Sequence, residues 1–270
     1  MKTRIITGAV LVLVLLLMVF AAPKMLSTVV FGLVMSIGSY ELLYGTGLVR
    51  HPRLVIYAAI MAFLVAMWSY FDAVHAVLLL LVLAFVMVLF AEVMRDHVKV
   101  RFAMIAMTFV AGFMMPYLLS AVIRILCMKV GRYFILIPFL AAYMNDAGAY
   151  FVGMKFGKHK LAPVVSPNKT IEGLAGGLAA SVVGMILYGL LLQFVFQFQV
   201  NYLLCILYGI LGGAAGVFGD LCFSVVKRQT GIKDYGNLFP GHGGVLDRFD
   251  SLMTVAPLIE ALLILLPLAV

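Results

Sequence analysis

The chain reads as an all-α polytopic membrane protein with about nine transmembrane helices, and three observations predict that class. Hydrophobic residues make up 65% of its 270 residues and charged residues only 11%, against roughly 45–50% and 25% in a soluble domain. So few charges cannot cover a water-facing surface, so most of the exterior must face lipid. The apolar runs recur at lengths that suit a bilayer, which takes about 20 helical residues per crossing. No ten-residue alternation marks barrel strands, and lipid satisfies no open backbone, so the runs must be helices. Disorder, a coiled coil, a disulfide scaffold and a soluble dinucleotide-binding enzyme are excluded on the same grounds.

Hydropathy places the helices at about 5–22, 26–46, 54–71, 74–94, 103–126, 133–154, 174–197, 201–226 and 251–270. The first follows Met1-Lys-Thr-Arg4 and resembles a signal peptide, but Pro23 stands just after Ala21-Ala22, where cleavage would occur. It is therefore read as an uncleaved span. About five helices occupy an N-terminal region, 1–130, and about four occupy a C-terminal catalytic region, 131–270, which also carries two polar connections at 155–173 and 227–250. Placing the N-terminus in the cytoplasm leaves Lys24, Arg124, Lys129 and Arg132 outside and the other 15 of the 19 Lys and Arg inside. That split follows the positive-inside tendency. The expectation is a multi-pass protein of the inner (plasma) membrane with its C-terminus outside. The same bias accounts for the net charge of +8 without nucleic acid. Cys127, Cys205 and Cys222 form no C-x-x-C pair, so neither a disulfide nor a zinc site is expected.

Carboxylates are costly in such a chain, and six of the eleven fall between 146 and 250: Asp146, Glu172, Asp220, Asp234, Asp247 and Asp250. Glu41, Glu92 and Glu260 stand alone in apolar runs, while Asp72 and Asp96 sit near span ends. These five are read as structural, and Glu41→Gln is expected to do little. Asp220 follows a stretch with glycines four apart, Gly209/Gly213 and Gly212/Gly216, a spacing that lets another backbone approach. That packing would hold Asp220 inside a bundle, with Ser224, Lys227 and Arg228 on its helical face. The reading there lies between function and a structural ion pair.

A second concentration is His242-Gly-Gly-Val-Leu-Asp247-Arg-Phe-Asp250-Ser251. Gly243 and Gly244 can turn amides toward an anion. Asp247 and Asp250 point the same way if that turn is helical, although Asp250 could equally be a cap and His242 a structural donor. The third piece is a buried acid, Asp146 in Asp-Ala-Gly-Ala-Tyr150, leading to Ser166-Pro-Asn-Lys169-Thr170-Ile-Glu172-Gly173. Lys155, Lys158 and Lys160 between them suit anionic headgroups.

Carboxylates with little His and no paired Cys favour a hard cation such as Mg²⁺. Basic residues and Gly-rich turns beside them favour phosphate. Together these suit phosphoryl or nucleotidyl transfer, here on a phosphorylated lipid at the cytoplasmic membrane face. No G-x-x-x-x-G-K-[ST] loop, no dinucleotide G-x-G-x-x-G and no G-x-S-x-G elbow is present.

At Ser224-Val-Val-Lys227-Arg228, Lys233-Asp234-Tyr-Gly236 and Phe239-Pro240-Gly-His242-Gly243-Gly244-Val-Leu-Asp247-Arg248-Phe-Asp250 the chain resembles the signature of phosphatidate cytidylyltransferases. The segments at Asp146 and Ser166 resemble that family too. Ala147 stands where the family often has Thr or Ser, and Asn168 where it often has Lys. The resemblance implies transfer of a cytidylyl group from CTP to phosphatidate, giving CDP-diacylglycerol and pyrophosphate. It implies Asp220 and Asp247 as metal ligands, with Asp146 and Asp250 as further candidates, for Mg²⁺ with a second cation as an option. Asp220, Asp247, Lys227 and Arg248 would be catalytic. Ser166, Lys169, Thr170, Lys227, Arg228, Lys233, His242, Gly243, Gly244 and Arg248 would hold the substrates. The implied partners are CTP, phosphatidate and membrane lipids, with a homodimer as the candidate assembly. The alternatives are another CTP-dependent membrane lipid kinase and, from a different class, an ion-coupled transporter. Acids clustered in one half of the chain count against the transporter.

Overall fold

The computed structural model describes residues 2–71, 74–239, 241 and 243–269; Asp72 and His242, both assigned roles from sequence, lie outside the described residues. Helix covers most of each of the nine predicted segments, though 195–197 and 266–269 lie outside helices. In chain order the elements are α1 (Lys2–Phe20), α2 (Lys24–Tyr40), a π-turn (Glu41–Gly45), α3 (Pro52–Phe71), α4 (His75–Arg95), α5 (Phe102–Phe109), a second π-turn (Val110–Met114), α6 (Met115–Leu119), α7 (Ala121–Cys127) and α8 (Gly131–Phe134). There follow α9 (Leu136–Phe156), β1 (Lys160–Ala162), β2 (Ser166–Thr170), α10 (Ile171–Phe194), α11 (Tyr202–Thr230), α12 (Leu246–Phe249) and α13 (Leu252–Leu265). Seven helices among the described residues are long and apolar enough to cross a membrane, from Lys24–Gly45 through Tyr202–Thr230. The last, α13, has 14 residues, or about 21 Å at 1.5 Å per residue, shorter than a typical hydrocarbon core. The connection at 155–173 departs from an all-α reading. It folds as an antiparallel hairpin, with Lys160 opposite Thr170 and Ala162 opposite Ser166.

The chain forms two compact units, Met1–Lys129 with Gln229–Phe249, and Val130–Arg228 with Asp250–Val270. In the first, small residues let helices meet closely. A Cβ added to Gly32 on α2 would lie 2.9 Å from the Phe63 ring of α3, and one on Gly112 would lie 2.8 Å from the Ala58 Cα. Serine hydroxyls bridge helices where no water competes: Ser36 donates to the Ala59 carbonyl at 2.8 Å and Ser39 to that of Ala111 at 2.7 Å. On α4, Leu79 and Met94 are 69% and 78% exposed, as a face turned to lipid requires.

In the second unit the glycines of α11 are contact points. A Cβ at Gly209 would fall 2.6 Å from the Val182 Cα of α10, and one at Gly212 would fall 2.8 Å from the Ala141 Cβ of α9. Near its C-terminal end, α11 meets the approach to α13, where Gly219 leaves no room between it and the Asp250 carbonyl, 2.9 Å from an added Cβ. The Thr254 hydroxyl fastens α13 by donating to the Ala215 carbonyl at 2.6 Å. The glycine spacing that predicts close backbone approach thus has a partner on three sides of α11.

Candidate active site

In the second unit, α9, α10, α11 and the hairpin surround a cavity of about 260 Å³ whose polar wall includes Asn145, Asp146, Asn168, Lys169, Thr170 and Asp220. Asp220 lies half-buried one residue beyond Gly219, and Ser224, one turn on, donates to its Oδ1 at 3.2 Å. Its cation comes from the hairpin. Lys169 Nζ lies 2.5 Å from Asp220 Oδ2, and each side chain is 25% exposed. The helical face predicted to carry Asp220 with Arg228 divides differently, because Arg228 is exposed and donates through Nε to the Val165 carbonyl at 3.1 Å. Lys227 is half-buried and acts electrostatically on Asp250.

Asp250 is buried and accepts from the Ser251 N–H at 2.8 Å. Burial pushes its carboxyl up to about 7, and the charges of Asp220 and Asp146 add to that push while Lys227 opposes it. Asp146, expected as a buried acid, is instead exposed at the cavity wall. It stands one residue past the buried Asn145, so the helix turns it about 100° away from the contact that buries Asn145. Thr170 is buried and its hydroxyl accepts from the Gly173 N–H at 3.1 Å, capping α10. Ser166 is a half-buried hairpin residue paired with Ala162.

Asn145 was not singled out from sequence. Its side chain is fully buried, lines the cavity and has no hydrogen-bond partner for either amide atom among the described residues. Gly177 makes its slot, since a Cβ there would lie 2.7 Å from Asn145 Oδ1. An unmet buried polar group costs about 1–3 kcal/mol, so an amide with both ends open marks a place where a ligand can repay that cost. The available signal was a neutral polar residue inside an apolar helix, overshadowed by the charged neighbour that follows it.

No group of three or more His, Cys, Asp or Glu among the described residues is gathered closely enough to hold a metal unaided. The cavity's candidate metal donors are nonetheless carboxylate, hydroxyl and amide groups, beside the Lys169 ammonium, with no thiolate or imidazole. That chemistry fits a hard cation held through one or two carboxylates, its shell completed by substrate phosphates.

Asp247 belongs to the first unit, with Lys233, Gly243, Gly244 and Arg248. Its buried carboxylate organises the loop before α12: Oδ2 accepts from the Tyr235 N–H at 2.8 Å and from the Gly244 N–H at 3.0 Å. Gly243 has φ +83°, a left-handed conformation suited to glycine, and its carbonyl accepts from the Phe239 N–H at 2.9 Å. Lys233 is exposed and Arg248 half-buried. A second carboxylate also holds this loop, and it is one that sequence reading set aside. Glu41 is buried and accepts from the Val245 N–H at 3.0 Å and the Leu246 N–H at 2.8 Å. Glu41, read from sequence as a structural acid, does hold structure, through two buried hydrogen bonds rather than one, to amides 204 and 205 residues away in sequence.

Long apolar helices around an acid- and lysine-walled cavity define a polytopic membrane protein. The chain belongs to the cytidylyltransferase family, whose sequence pattern matches residues 2–266. Over 134 residues it is 48% identical to the phosphatidate cytidylyltransferases of Staphylococcus haemolyticus (strain JCSC1435) and of Staphylococcus epidermidis (strain ATCC 12228 / FDA PCI 1200). Over the same length it is 46% identical to that of Staphylococcus aureus (strain COL). Each alignment covers 50% of this chain and 50% of the relative, so the chain matches about half the length of these curated relatives.

Proposed function

We propose that the protein transfers a cytidylyl group from CTP to phosphatidate, giving CDP-diacylglycerol and pyrophosphate in phospholipid biosynthesis. The observation that carries the reading is the polar cavity of the second unit, where Lys169 and Asp220 pair and Asn145 stands with its amide open. Family membership and the names of the relatives support the same reaction. An ionised phosphate oxygen of phosphatidate attacks the α-phosphorus of CTP. The new P–O bond forms as the bond from the α-phosphorus to the pyrophosphate oxygen breaks. The nucleophile is already an anion, so no strong general base is needed.

In this reading Lys169, Lys227, Arg228, Lys233 and Arg248 bind and orient phosphate oxygens, with the amides of Gly243 and Gly244 and the hydroxyls of Ser166 and Thr170 beside them. His242 is proposed with that group. Asp220 and Asp247, with Asp146 and Asp250, would hold Mg²⁺, which when bound draws charge from the phosphates as pyrophosphate departs. Asn145 offers the substrate or its cation an oriented amide. Nine spans, a cytoplasmic N-terminus and a site at the cytoplasmic face of the plasma membrane complete the proposal, with a homodimer as the candidate assembly.

The test uses purified protein in neutral detergent with phosphatidate, Mg²⁺ and each of the four NTPs. Pyrophosphate and a nucleotide-linked lipid should form with CTP. Release of CDP with phosphorylation of an alcohol acceptor would place the protein among lipid kinases instead.

A further inference from the structure

The loop between α11 and α12 is folded around two buried carboxylates, and only one of them belongs to it. Asp247 binds the loop from within, through the Tyr235 and Gly244 amides. Glu41 enters from the π-turn that ends α2 and takes the Val245 and Leu246 amides, one on each oxygen. The loop's glycines are cut to this fit. A Cβ on Gly244 would lie 2.5 Å from Glu41 Oε1, and one on Gly236 would collide with the same oxygen. Gly45, at the end of the π-turn, is pressed on Tyr235, whose carbonyl would lie 2.6 Å from an added Cβ. Insertion of a π-turn displaces one residue from the regular helical ladder, a device frequent at functional sites. Here it delivers an acid from a membrane helix into a backbone concavity formed by successive N–H groups, a geometry that favours an anion.

We propose that Glu41 is a positioning residue for the reaction: its carboxylate, acting through the Val245 and Leu246 amides, fixes the Gly243–Asp247 turn. Both oxygens are acceptors in use, so the role calls for a carboxylate rather than a carbonyl. An amide would keep one acceptor and turn an NH₂ group against the other N–H. This inference rests on the assignment of the Gly243–Arg248 segment to substrate binding above.

The experiment compares Glu41→Gln and Gly244→Ala, which presses on the same carboxylate from the loop side, with the parent and with Asp247→Asn in detergent. Hydrogen–deuterium exchange, read without metal or substrate, should quicken about tenfold in peptides covering 235–249 of both variants, with α3 and α9 unchanged. Kinetically, the apparent KM for CTP should rise about fivefold or more, whereas fewer folded molecules would lower only the apparent kcat. Unchanged exchange in Glu41→Gln would overturn the proposal, and so would faster exchange with parental KM and kcat. Full parental kinetics in Asp247→Asn would instead remove the loop from the reaction, while the exchange data would still say whether Glu41 holds it. The two failures are therefore distinguishable.

Discussion

Asp220 carries a lysine at 2.5 Å and a serine hydroxyl at 3.2 Å, in a wall that also bears Asp146. A carboxylate so placed is able to share its charge with a cation that arrives with substrate. Asp220→Asn keeps the shape and removes that charge, so kcat/KM should fall on the order of a hundredfold or more while the melting temperature changes little; near-parental turnover at saturating Mg²⁺ would contradict this. Asp250 makes a prediction in pH. Its folded-state pKa is about 7 and its ordinary value 3.8. The unfolded chain therefore releases this proton first, and the folded state loses stability as pH rises from about 4 through 7. Asp250→Asn escapes that loss. Measured in EDTA, its melting temperature should exceed the parent's by a clearly larger margin at pH 8 than at pH 5. An equal margin at both would show that Asp250 is not held neutral. Asp146 and Asp220 stood out in the sequence because a charge in an apolar run is conspicuous and costly, whereas Lys169 lies in a polar connection and its pairing with Asp220 was not legible. Nor was Asn145, since a neutral amide looks cheap until both its atoms prove unpartnered. Glu41 was legible as a structural acid but its partners were not, because they sit more than 200 residues away in the loop it caps.

Among the elements, α11 is the one whose sequence most directly describes its packing. Glycines three and four apart place Gly209 on α10 and Gly212 on α9, and nothing larger fits where backbones touch. Gly209→Ala should cost about 1–3 kcal/mol, the usual range for overpacking, seen as a lower melting temperature in detergent. Gly38→Ala on α2, whose added Cβ would meet only Leu246 Cδ1 at 3.9 Å, should leave stability nearly unchanged. Equal losses at both positions would contradict the contact assignment. The hairpin and the two π-turns were not legible. A polar connection of 155–173 reads as a loop because its pairing spans few residues, and Thr170 shows its cap only once α10 begins beside it. A π-turn leaves no mark in hydropathy, since an average over a whole span does not register one inserted residue.

At the scale of the molecule, composition alone dictated the class: seven helices suited to a membrane emerge from a chain that is 65% hydrophobic. What composition could not foresee is that residues 229–249 group with the first 129 rather than with their sequence neighbours, because hydropathy carries no record of partners. The orientation proposed from the basic residues is checked by introducing single cysteines in 155–173 and 231–241 and labelling intact cells with an impermeant reagent. Labelling should require permeabilised cells; efficient labelling from outside would reverse the topology. The central claim is that the α-phosphorus of CTP is the atom transferred to the lipid. It is tested most directly by incubating the purified protein with phosphatidate, Mg²⁺ and CTP radiolabelled at either the α- or the γ-phosphate. Label from the α-position should appear in the extracted lipid and label from the γ-position in pyrophosphate. Lipid labelled from the γ-position, or from neither, would contradict the account.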